Sequence, residues 1–137
     1  MPTVKVKPNI MSQDFYCEQV ISRKIAVKKI FETENILAYY HTKPFWETHI
    51  VVIPKKHISS LLTLEKADEP LLLELLEVIR QVAGQVVQET GAARVLTNLG
   101  KYQDSKHLHF HINSGEQIQA DILGETDGKI GRNLKKV

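Results

Sequence analysis

The chain has 137 residues, 42% hydrophobic and 25% charged, with a formal net charge of +2 from 18 Lys+Arg against 16 Asp+Glu. That length suits one domain with a real core, and the balanced charge gives no reason to expect nucleic-acid or membrane partners. No apolar run approaches the ~20 residues of a membrane span, and a single cysteine, Cys17, excludes an intrachain disulfide.

Residues 1–13 (MPTVKVKPNIMSQ) lack the apolar stretch of a secretory signal and read as an arm, so a reducing cytoplasm is the expected compartment. DFYCEQVISR (14–23) reads as a short helix or turn with Phe15 and Val20 or Ile21 facing inward. Residues 24–43 read as a hairpin: Ile25, Val27, Ile30 and Phe31 precede the turn-like Thr33-Glu34-Asn35, and a second apolar run from Ile36 follows it. Pro44 ends that strand, and KPFWE is a loop. THIVVIP (48–54) is β-branched and closed by Pro54, the pattern of a buried strand.

A long helix is expected over 68–90, with Asp68 as N-cap and Pro70 in the first turn, where its missing N–H costs nothing. Leu72, Leu75, Leu76, Ile79, Val82, Ala83 and Val86 recur at helical spacing, and Gly91 is placed to end it. ARVLTN (93–98) and KHLHFHIN (106–113) read as strands, and Gly115 closes the compact part. Residues 116–137 form a tail with room for a short element at QIQADIL. The order gives an α+β fold with a mostly antiparallel sheet.

Half of the six histidines fall within HLHFHI. In a strand, His107, His109 and His111 share one face at spacings of about 6.5–7 Å. Leu108, Phe110 and Ile112 then pack under the long helix, leaving the imidazoles open to a ligand. Three readings compete. The first is a half-exposed strand that happens to carry histidines. The second is a metal site, because His-x-His lets two imidazoles converge on one ion; no cysteine cluster supports it, and Asp104 is the one acid nearby. The third is catalysis by a nucleophilic imidazole at phosphorus.

HLHFHI resembles the His-φ-His-φ-His-φ-φ signature of the histidine triad (HIT) superfamily, with Asn113 in place of the last apolar residue. THIVVIPKKHISSL (48–61) is similar to the family's strand-and-turn segment ahead of the long helix, and LTNLG (96–100) to the strand before the triad loop. The resemblance spans about residues 14–115 and sits nearer the Hint-like than the Fhit-like branch, through IPKKHI. It implies a five-stranded, mostly antiparallel sheet with one long helix and a short N-terminal helix. The arm is then 1–13, the domain 14–115 and the tail 116–137.

The resemblance also implies a chemistry. His109 would attack the α-phosphorus, His111 would bond a phosphate oxygen or assist the leaving group, His107 would orient its neighbours, and His49 would fix the triad's tautomer or charge. Asn98, Gln103, Asp104 and Ser105 would form the phosphate cradle, His41 would meet the ribose, and Phe15, Ile25 and Ile50 would line the base pocket. Three positions depart from the family: where it has Gly-Gln-Ser, Tyr102 replaces the glycine and Asp104 the hydroxyl residue, with Ser105 one position later, and His41 replaces an acidic residue. Many bacterial relatives begin with Cys-x-x-Cys in a structural zinc site; here Asp14 replaces the first cysteine. Asp14, Cys17, His57 and His107 form the zinc alternative, but no cofactor and a buried free Cys17 are expected.

Trp46 is read either as a pocket wall or as loop packing, Lys55 and Lys56 as a solvated turn, and His57 as a turn residue. Apolar Leu71, Leu73, Val78 and Val87 around the helix agree with the two-fold dimers of relatives. The expected activity is hydrolysis or transfer at a nucleoside monophosphate derivative, a purine phosphoramidate or mixed anhydride, by a homodimer that binds neither nucleic acid nor membrane. A dinucleoside polyphosphate hydrolase and a nucleotide-binding signalling protein are the alternatives, with a metal-binding strand protein outside the family behind them.

Overall fold

The strands are β1 (Lys29–Glu32), β2 (Ile36–Tyr40), β3 (Trp46–Pro54), β4 (Arg94–Leu96) and β5 (Phe110–Gln117), with one long helix, α1 (Glu69–Thr90). They pair in the order β1-β2-β3-β5-β4, every neighbour antiparallel. The computed structural model describes residues 15–119. Among them no helix is long and apolar enough to cross a membrane.

Period-two alternation splits the sheet into two faces. Ile36 and Ala38 of β2, Ile50 and Val52 of β3, and Phe110 and Ile112 of β5 pack with Leu75, Val78, Ile79, Val82 and Val86 of α1. Leu37, Tyr39, Val51 and Ile53 point the other way, against Tyr16 and Val20. A π-helical turn, Tyr16–Ile21, supplies those last two residues where the sequence suggests a short helix.

α1 starts one residue after Asp68 and ends at Gly91, whose left-handed φ of 94° suits glycine and whose N–H reaches the Val87 carbonyl at 2.7 Å. Its buried stripe differs from the expected one in two places. Val78 is core rather than surface, and Leu76 is exposed. Asp68 does not cap α1: one oxygen accepts from the Glu65 amide and the other pairs with Lys56 at 2.7 Å. Lys56 is thus a solvent-exposed turn cation, as expected, that also pairs with Asp68.

Other boundaries also move. β1 begins only at Lys29, leaving Ile25 and Val27 outside the ladder, and β3 begins at Trp46. β5 does not stop at Gly115; with φ of 85° that glycine bends the strand, the register shifts between Trp46 and Thr48, and pairing resumes at Gln117. Of QIQADIL, Gln117 ends β5 and residues 120–123 lie outside the described residues, as do the arm and most of the tail. Leu75→Ala should cost about 2–5 kcal/mol, because Leu75 is fully buried at the centre of the α1 face. Urea unfolding monitored by circular dichroism checks this.

Candidate active site

The face of the sheet away from α1 gathers the histidines. β3 places His49 there by the same parity that turns Ile50 toward α1. His107, His109 and His111 follow on the last strand and the extended segment before it, which is tied by the Leu108 amide to the Ile58 carbonyl at 2.6 Å. Contrary to the expected open surface, these imidazoles are buried, His107 and His109 almost fully. Tyr16 covers them, its ring 4.8 Å from that of His109 and 5.9 Å from that of His107.

Backbone partners fix the ring protons. The Phe45 amide donates to His49 Nδ1 at 3.0 Å, so neutral His49 carries its proton on Nε2. That proton is donated to His111 Nδ1 at 2.9 Å, which leaves His111 protonated on Nε2. His109 Nδ1–H donates to the His107 carbonyl at 2.7 Å, and its Nε2 therefore presents a lone pair. Thr97 Oγ1 donates to the His109 carbonyl at 2.7 Å and locks the peptide that carries it. Among the described residues, His109 Nε2 is the one buried side-chain nitrogen or oxygen with no hydrogen-bond partner. An orphan of this kind costs about 1–3 kcal/mol and asks for a functional explanation.

Burial drives His49 down to about 3, with His41 adding to the effect, and His111 down to about 2, with the His109, His49 and His41 rings adding and Asp104 opposing. Burial also lowers His41 to about 4 against the pull of Asp104, and raises Tyr39 above its usual range. His41 stacks on His49 at 4.3 Å, and its Nδ1 accepts from the Lys43 amide. Asp104 Oδ1 lies 3.6 Å from His109 Nε2, longer than a hydrogen bond. Burial acts to raise the Asp104 carboxyl, but the His109 and His111 imidazoles outweigh it, and the net effect is a lowering.

A cleft of about 560 Å³ opens beside this row, lined by Phe15, Tyr16, Tyr39, His41, Phe45 and Asp104 among others. Tyr16, Tyr39 and Phe45 went unnamed as site residues in the sequence. Parity could have supplied Tyr39, two positions before His41; Tyr16 and Phe45 come from segments with no periodic signal.

The expected cradle divides. The Gln103 carboxamide N–H groups go to the Ser59 and Ser105 carbonyls at 2.6 and 2.8 Å, so Gln103 staples the loop while lining the cleft together with Ser105. Ser105 Oγ accepts from the Phe15 amide at 3.1 Å and ties the N-terminal turn to the triad loop. Asn98 follows Thr97 and is half-buried. Ile50 is a correction: it sits in the α1 core and cannot line a pocket on the histidine face. Ile25 lines a different cavity, of about 280 Å³, with Val27 and Leu37. Trp46 holds the Arg94 guanidinium 4.5 Å over its ring, and Arg94 Nη1 donates to Asn113 at 2.8 Å, so Trp46 packs rather than walls the cleft.

Among the described residues, two groups have metal-ligand geometry, with donor atoms within 4.8 Å of one another. His41, His49 and His111 fit an ion poorly, because His41 and His49 both accept backbone N–H on Nδ1, which puts the ring proton on the Nε2 an ion would take. Cys17, His57 and His107 fit better. His107 Nε2–H donates to the Pro54 carbonyl at 2.7 Å, which aims its Nδ1 lone pair at Cys17 Sγ, 3.3 Å away. These are zinc-type donors, three of the four that a closed site takes. Asp14 lies outside the described residues.

Residues 14–121 match the family model described as scavenger mRNA decapping enzyme, C-terminal binding. An uncharacterized HIT-like protein of Helicobacter pylori is 32% identical over 102 residues, 73% of this chain and 95% of that protein. The crystal structure of a HIT family hydrolase from Legionella pneumophila superposes with a TM-score of 0.67 at 28% identity, covering 78% of this chain and 96% of that one. A hypothetical histidine triad nucleotide-binding protein from Sulfolobus tokodaii gives 0.66 at 27% identity, covering 87% and 89%.

The lowered histidines make stability depend on pH. Unfolded, His49 and His111 titrate near 6.5; folded, they stay neutral down to about 3 and about 2. Between those limits the unfolded chain binds more protons, so stability falls as pH drops below about 6.5. Each of the two rings should remove up to about 1.4 kcal/mol per pH unit in that window. Urea midpoints at pH 7.5 and 5.0 test it; equal midpoints would contradict buried neutral rings.

Proposed function

The chain belongs to the histidine triad (HIT) family, and from that premise we propose that it is a nucleotidyl hydrolase or transferase working through a nucleotidyl-histidine intermediate on His109. Its substrates are nucleoside monophosphate derivatives, purine phosphoramidates first and mixed anhydrides second. The observation that carries this reading is the partnerless His109 Nε2 lone pair beside the cleft, with the other ring nitrogen already committed to a carbonyl. The hydrolase name of the Legionella protein and the nucleotide-binding name of the Sulfolobus protein agree with it.

In the proposed reaction, His109 Nε2 attacks the α-phosphorus in line and the bond from phosphorus to the leaving amine breaks. The amine departs with a proton from cleft water. The ring, now substituted on Nε2 and protonated on Nδ1, is cationic, and the His107 carbonyl 2.7 Å from Nδ1 stabilises that charge. His111 donates Nε2–H to a non-bridging oxygen, held in that tautomer by His49. A water molecule then attacks phosphorus, breaks the bond to His109, passes its proton to solvent and releases the nucleoside monophosphate. His41, Thr42 and Lys43 form the wall for the sugar, and Phe15, Tyr16 and Phe45 supply apolar surface for the base. No step needs a cofactor; a zinc at Cys17, His57 and His107 would serve to hold the His107 ring and the N-terminal turn.

A dinucleoside polyphosphate is the alternative substrate, and the decapping name of the family model points toward such 5′–5′ anhydrides. A protein that binds nucleotide without turnover is the other alternative. His109→Gln keeps the bulk of a buried ring and should lower turnover of an adenosine phosphoramidate at least about a thousandfold with the fold retained. Alanine is the poorer test, since removing a buried imidazole leaves a cavity. Wild-type turnover should be unaffected by chelator. Undiminished turnover in His109→Gln would rule out the mechanism, and tight monophosphate binding without wild-type turnover would support the binding protein.

We further propose a homodimer. β4 is an edge strand with Val95 and Leu96 exposed, and α1 leaves Leu73, Leu76 and Val87 uncovered. Light scattering at micromolar concentration should give twice the chain mass, and Leu73→Glu with Val95→Lys should halve it; a wild-type monomer would refute the dimer.

A further inference from the structure

A carboxylate stands against the proposed nucleophile. Asp104 Oδ1 is 3.6 Å from His109 Nε2, while the Asp104 side chain is 48% exposed. It lines the cleft with His41, Thr42 and Lys43. One side of the group thus faces a buried, partnerless nitrogen, and the other faces the space a substrate must enter.

In-line attack fixes how near the leaving group comes. A phosphorus about 3–3.5 Å from Nε2 puts the leaving atom roughly 5 Å from that nitrogen. The leaving atom is then less than about 9 Å from Asp104 in any direction, inside the ~10 Å Debye length at 0.1 M salt. His41, His49 and His111 are held neutral at pH 7 and add no full charge beside the carboxylate, and the net lowering of Asp104 keeps it ionised. Among the lining residues, Lys43 is the one opposing full charge. The α-phosphate is an anion in every candidate substrate, so its repulsion by Asp104 is common to all. What differs between substrates is the charge that leaves.

We infer that Asp104 is a specificity residue that selects by the charge of the leaving group. It favours nucleoside phosphoramidates of amines bearing a second, cationic ammonium, and it disfavours leaving groups that depart as polyphosphate anions. The inference rests on the phosphoramidase reading above and deepens it by separating amine substrates from dinucleoside polyphosphates.

The test compares kcat/KM for three adenosine substrates. The first is the 5′-phosphoramidate of propane-1,3-diamine, cationic at its far end. The second is the propylamine phosphoramidate, with no charge at its far end, and the third is diadenosine tetraphosphate. In the wild type the cationic amide should exceed the propyl amide by about tenfold. In Asp104→Asn and Asp104→Ser that ratio should fall toward unity, and the ratio of tetraphosphate to propyl amide should rise by about tenfold. Both changes should shrink in 0.5 M salt, as screening requires. A wild-type ratio near unity, or identical ratios in wild type and variants, would overturn the inference while leaving the phosphoramidase reading standing. No turnover of any of the three by the wild type would remove that reading and the inference with it.

Discussion

Two-residue alternation along β2, β3 and β5 is the constraint from which both halves of the molecule follow. One parity carries Ile36, Ala38, Ile50, Val52, Phe110 and Ile112 into the α1 core. The other carries His49, His109 and His111 to the opposite face with Leu37, Tyr39, Val51 and Ile53. A one-residue slip of β5 would exchange the sets, putting imidazoles into an apolar core and phenylalanine into the site. The core therefore fixes the chemistry, because its apolar burial sets the register that aims the histidines.

The second face is not a bare platform. Phe15 and Tyr16 close over it, Ser105 takes the Phe15 amide, and Cys17 lies against His107. Burial keeps His49 and His111 neutral, and each has its proton placed by a backbone or imidazole partner. Neutral rings in fixed tautomers can hold a lone pair and a donor in defined places, which freely titrating surface histidines cannot. The cost is the stability lost to acid and the orphaned nitrogen of His109.

Much of the fold was legible because its signals are periodic. The α1 stripe, the Thr33-Glu34-Asn35 turn and the HLHFHI alternation each state their geometry directly. Apart from Leu76 and Val78 on α1, the errors fall where periodicity is silent. VVI within β3 is apolar on both faces, so composition does not tell which side Ile50 takes, although counting from His49 would have done so. Gln103 and Ser105 do line the cleft, but that their polar groups are also taken by backbone groups of the loops depends on those loops' own unpaired groups, which sequence does not show. Tyr16 and Phe45 reach the site from a π-helical turn and a loop, and short segments of that kind carry no repeat to read.

The N-terminal turn has a consequence of another kind. Other walls of the cleft are anchored in the sheet or in its connecting loops, whereas Tyr16 and Val20 of the turn pack on the histidine face and Ser105 takes the Phe15 amide just before it. Its buried residues Tyr16 and Val20 belong to the cluster on the histidine face, not to the α1 core. The molecule thus pairs a reaction centre set by strand register with a roof that comes from a separate segment ahead of the first strand, so the two are specified by different stretches of sequence.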